Sequence, residues 1–134
     1  MSCKSAIYVA NTGAQVLQIG STIALGSIIR RYGCAVNLNG NGITVDERGY
    51  YDVDASVIAT AAAAGTVTVT LLRDGVAVPG SVASATAAAA GTVALPITAL
   101  VRQACGCSGG STLTLVLGGT AATINNVALK VIKL

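Results

Sequence analysis

Five acidic residues and no histidine narrow the chemistry open to this chain. Asp52 and Asp54 stand two residues apart in "YYDVDASVI". On an extended strand that spacing puts both carboxylates on one face, roughly 6–7 Å apart. Glycosidases set paired carboxylates at such separations. The pair would also suit calcium, but no ligand-dense loop accompanies it. Acids on one strand more commonly form a solvated face or meet an arginine across an interface, and we read Asp52 and Asp54 in that way. Without histidine there is no Ser-His-Asp triad, no Cys-His dyad and no imidazole metal site. The expectation is a protein that is not an enzyme and needs no cofactor.

Sulfur is the second source of chemistry. Cys3, Cys34, Cys105 and Cys107 are the four cysteines, the last two in the Gly-Ser-rich stretch "QACGCSGGS". Their C-x-C spacing differs from the C-x-x-C of zinc ribbons and thioredoxin-like motifs. A thiolate metal site, a redox pair, free thiols in a reducing cytoplasm and a disulfide formed after release are all compatible with it. Thiols or disulfides are preferred over a metal. Cys34 paired with Cys105 or Cys107 would staple two strands of a small core.

The elements that must carry these residues are unusual in composition. The 134 residues, one domain by size, include no Phe and no Trp, and their aromatics are four tyrosines. Charged residues make up 10%, well under the roughly 25% of an average soluble domain. Such a surface is covered by small polar residues or by other subunits. The net charge of +3 is mild, and Arg30-Arg31 is the one adjacent basic pair, so nucleic-acid binding is poorly supported. The pair could meet an acidic partner, although two solvated charges are the plainer reading. No apolar run reaches the ~20 residues of a membrane span. The start "MSCKSAIYVANTGAQ" lacks the pattern of a signal peptide, so synthesis in a cytoplasm is expected.

The stretch "ATAAAAGTV" occurs at 59–67 and again at 85–93. Four alanines followed by Gly-Thr-Val are too short for an independent helix. The flanks alternate with period two. Val67, Val69 and Leu71 face one way while Thr66, Thr68 and Thr70 face the other. Tyr51, Val53, Ala55 and Val57 oppose Asp52, Asp54 and Ser56 in the same manner. Each alanine copy therefore reads as a strand end plus the loop to the next strand. Asp74-Gly75 marks a hairpin, and Pro79-Gly80 interrupts its return strand as an edge or a bulge would. Leu113, Leu115 and Leu117 point inward, and Val127, Leu129, Val131 and Leu134 close the chain around Lys130 and Lys133. About ten strands without a helix make an all-β sandwich or barrel.

The ordered set "GITVDERGYYDVDASV", "TVTLLRDGVAVPGS", "STLTLVLGG" and "NNVALKVIKL" resembles the globular head of the tumour-necrosis-factor and complement-head superfamily. It is most similar to the bacterial branch, found in collagen-like exosporium glycoproteins and bacteriophage structural proteins. The likeness runs from Gly42 to Leu134. It implies a jelly roll of about ten antiparallel strands, assembled as a homotrimer with terminal strands near the three-fold axis and small or aliphatic residues between subunits. The Gly-X-Y stalk of exosporium members is absent here, which favours a stand-alone particle protein.

The expected function is therefore that of a bacteriophage virion structural protein. It would be a trimeric capsid-decoration or head-fibre module, made in the host cytoplasm and sited on the capsid surface. Its partners would be itself and a phage capsid protein. Residues 1–20 are assigned to an N-terminal strand and anchoring segment and residues 21–134 to the head, within one domain. Tyr51 is expected in the core and Tyr50 at a subunit contact or the surface. Tyr50, Arg30, Arg31, Asp52 and Asp54 are the candidate interface residues. The alternative is a host-surface or glycan-binding head, of the receptor-binding or spore-surface type, for which four tyrosines offer few stacking platforms.

Overall fold

The two alanine copies meet in space. In the computed structural model, which describes residues 4–104 and 110–134, the Ala61 N–H donates to the Gly91 carbonyl (3.0 Å) and the Ala90 N–H to the Ala61 carbonyl (2.9 Å). Ala62 donates to Ala121 close by. Each copy is the end of one strand and the turn into the next. Three chain segments cross there, and a methyl side chain permits the close approach.

Among the described residues there are eleven strands: β1 Ala6–Asn11, β2 Gln15–Leu17, β3 Ser27–Tyr32, β4 Val36–Asn39, β5 Gly42–Val45, β6 Gly49–Ala61, β7 Gly65–Arg73, β8 Val76–Ala87, β9 Thr92–Gln103, β10 Ser111–Gly118 and β11 Ala122–Lys133. They form two antiparallel sheets. One has the order β3-β1-β11-β6-β9, with β2 also pairing to β11. The other runs β4-β5-β10-β7-β8. We refer to them as the six-stranded and five-stranded sheets.

Period two writes the core. Tyr51, Val53, Val57 and Ala59 of β6, Val67, Val69 and Leu71 of β7, and Leu113, Leu115 and Leu117 of β10 are all buried. Facing sheets interdigitate these side chains, as sandwiches require. Low side-chain volume is offset by continuity: Ile7 and Val9 of β1 and Ile23 and Leu25 between β2 and β3 join the same cluster.

Bulges adjust the phase where strict alternation would fail. In β11 the register shifts between Ile124 and Asn126, which carries the inward series from Ile124 to Val127. In the β7–β8 hairpin it shifts between Thr70 and Leu72, opposite Pro79-Gly80. The buried Ser81 hydroxyl there has one proton to donate and lies within reach of the carbonyls of Val78 (2.6 Å) and Leu71 (3.1 Å). The hairpin turn takes positive φ at Asp74 and Gly75 (51° and 81°), as expected.

The C-terminal reading needs one correction. Leu134 is 71% exposed and does not close the core; Lys133 is 8% exposed instead. The series Val127, Leu129, Val131 continues in step to position 133, so Lys133 takes the inward place. Its aliphatic stem covers Gly49, where a Cβ would lie 3.2 Å from the lysine Cε.

Tyr51 has a pH consequence. Its hydroxyl donates to the Glu47 carbonyl at 2.6 Å. Burial, helped by the charges of Glu47 and Asp46 and opposed by the bond to the Glu47 backbone, raises the phenol above its ordinary value of 10.0. The unfolded chain therefore ionises before the folded one. Stability from this group is complete below the unfolded value and falls as pH rises through the folded one. Urea unfolding at rising pH past 10.0 is expected to show a steeper loss in the parent protein than in Tyr51→Phe.

Candidate self-association face

The inward series of the six-stranded sheet fixes what its other side presents. With Tyr51, Val53 and Val57 inside, Tyr50, Asp52, Asp54 and Ser56 project outward. The register then aligns rows across the sheet. One row is Tyr32, Ala6, Ile132, Asp52 and Leu100. The next is Arg30, Tyr8, Lys130, Asp54 and Thr98. A third, made of small residues and a proline, is Ser27, Ala10, Ala128, Ser56 and Pro96. Tyr50 pairs with Arg102 at one end, and the Leu134 N–H donates to the Tyr50 carbonyl (2.9 Å).

This face gathers three of the four tyrosines, Tyr8, Tyr32 and Tyr50, together with exposed Leu100. Tyr50 is 49% exposed. The face also carries five charged side chains, Arg30, Asp52, Asp54, Arg102 and Lys130. Lys130 Nζ lies 3.1 Å from Asp54 Oδ2, with the side chains 45% and 42% exposed. Such an open pair contributes at most about 1 kcal/mol. Asp52 and Asp54 thus stand on an open sheet, one of them joined to a lysine, rather than facing each other across a cleft.

The remaining candidates divide. Arg30 lies on this face beside Tyr8. Arg31 lies in the opposite phase, and its Nε donates to the Val36 carbonyl of β4 (2.8 Å). It ties the two sheets together at their open edge. Cys34 is disulfide-bonded. Its backbone is fixed by buried Ser5, whose Oγ accepts from the N–H groups of Cys34 and Ala35, each at 3.0 Å. Cys105 and Cys107, named as its possible partners, lie outside the described residues.

Tyr8, Tyr32, Leu100 and Ile132 were not among the sequence candidates. The alternation of "AIYVAN" marks Tyr8 as outward, since Ile7 and Val9 are buried. Nothing local announces that Tyr8 shares a row with Asp54. That follows from pairings β1–β11 and β11–β6, which join segments far apart in the chain.

No family model and no curated protein matches the sequence. Solved structures match the fold. The chain is similar to murine APRIL, with a TM-score of 0.74 and 12% identity over 98% of this chain and 99% of that one. It is similar to the globular domain of zebrafish complement 1qA, with 0.70 and 9% identity over 95% of each chain. It is also similar to vertex protein P5 of phage PRD1, with 0.66 and 14% identity over 97% of this chain and 73% of that one. At these identities the likeness establishes the fold, a tumour-necrosis-factor and complement-head-like jelly roll.

Proposed function

We propose that this chain is a non-enzymatic structural module that associates through the outer face of its six-stranded sheet into a homotrimer and decorates a bacteriophage capsid. The observation that carries the reading is that face: three exposed tyrosines and Leu100 beside a small-residue row, with one exposed ion pair in the row of Tyr8. Exposed aromatic side chains are enriched at protein interfaces. A closed three-fold ring uses the same contact three times and leaves no unpaired patch.

The likeness to the phage vertex protein supports the particle role at the level of fold. Attachment would be multivalent, three weak contacts reinforcing one another. Residues 1–20 are the proposed anchor. β1 is built into the sheet, but Val16 of β2 and Ile19 just after it are exposed and apolar. The three exposed tyrosines are all committed to the association face, which leaves little aromatic platform for a glycan.

The test is co-sedimentation of the purified protein with capsids of the phage that carries its gene. Binding in multiples of three per site is expected. Val16→Asp with Ile19→Asp is expected to abolish binding while the assembly keeps its mass. Failure of the parent protein to bind would end the decoration reading.

A further inference from the structure

A groove of about 290 Å³ opens at the side of the sandwich where β8 and β9 form the sheet edges. Its walls are Val76, Ala77, Val78 and Pro79 of β8 and Leu100 and Val101 of β9, and Arg73 and Arg102 complete it. Arg73 ends β7 and is held from behind. Its Nε donates to Ser111 Oγ (3.3 Å), its Nη1 to the Arg102 carbonyl (2.6 Å) and its Nη2 to Gln103 Oε1 (2.9 Å). The buried Ser111 hydroxyl donates to the same Gln103 oxygen at 2.7 Å.

Every one of these acceptors is neutral. The network orients the Arg73 guanidinium without cancelling its charge; three of its five N–H donors are spent on these acceptors and two remain. Among the described residues, neither Arg73 nor Arg102 lies in an ion pair, and residues 1–3 and 105–109 contain no Asp or Glu. Two uncompensated cations thus border an aliphatic wall. The wall has no aromatic ring to stack on a sugar.

We infer that this groove binds a small carboxylate with an aliphatic body, the acid meeting the guanidinium groups of Arg73 and Arg102 and the chain lying against Val76, Val78, Pro79 and Leu100. Arginine favours carboxylates because its planar fork matches their two oxygens. The volume is near the lower limit of ligand pockets, which suits a short acyl chain. This inference goes beyond the capsid role; because Leu100 and Arg102 also belong to the outer face of the six-stranded sheet, it requires that this end of the face stay open in the assembly.

The probe is hexanoate, added to the protein in its purified assembly and followed by methyl resonances of Val76, Val78 and Leu100. Acetate, which lacks the chain, and hexanol, which lacks the charge, serve as comparisons. Saturable shifts with hexanoate are expected, with both comparisons much weaker. Arg102→Gln, an exposed change, should weaken binding by roughly tenfold, the usual cost of losing a charged hydrogen bond. Arg73→Gln should weaken it further if it folds. The idea fails if hexanoate causes no saturable shift, including because a sister copy covers the groove. It also fails if hexanol matches hexanoate, or if Arg102→Gln binds as the parent does.

Discussion

Tyr50→Ala is expected to break the assembly into single, folded chains. The ring is half exposed and lies on the outer face of the six-stranded sheet, so one copy loses little by its removal. An aromatic hot-spot residue at an interface is worth about 2 kcal/mol or more. A closed trimer contains three such contacts, so the loss approaches about 6 kcal/mol. That is about four orders of magnitude in the association constant. Sedimentation velocity should show the slow species in the variant at concentrations where the parent is assembled. Far-ultraviolet circular dichroism should remain that of a β protein. A variant that stays assembled would show that the face is not the contact.

The adjacent Tyr51→Ala is expected to do the opposite damage. Tyr51 is fully buried and its hydroxyl is bonded to the Glu47 carbonyl. Truncating a buried aromatic costs about 3–5 kcal/mol, through lost transfer energy and the cavity left behind. Against a total of about 5–15 kcal/mol for an ordinary domain, that is a large fraction. Urea unfolding at matched protein concentration should show the midpoint fall sharply, the match being needed because association adds to apparent stability. A shift no larger than that of a surface change would contradict the placement of this ring. Neighbours in sequence thus report on two different properties, one on assembly and the other on folding.

The same pair shows what the sequence makes legible. Tyr50 and Tyr51 were separable because alternation needs only local information, and Val53, Val57 and the leucines of β10 were assigned by the same rule. The alanine copies could be recognised as strand ends because their flanks alternate. Alternation misled where it was not followed strictly: Leu134 was drawn inward by its hydrophobicity, although the phase set by Val131 gives the place to Lys133. Register was the larger gap. Asp54 could be placed on a face, but its lysine partner Lys130 lies 76 positions away and is brought to it by the pairing of β6 with β11. Arg30 and Arg31, indistinguishable as a basic pair, separate because one faces outward and the other reaches the Val36 carbonyl. Arg73 carried no signal at all, since its groove depends on β7, β8 and β9 converging at one edge.

Sedimentation equilibrium of the purified protein gives the most direct measurement of whether this face is an interface. The mass expected is three times the 13.1 kDa of one chain, unchanged over a wide range of loading concentration. A stably folded species of a single chain's mass, at every concentration tested, would contradict it.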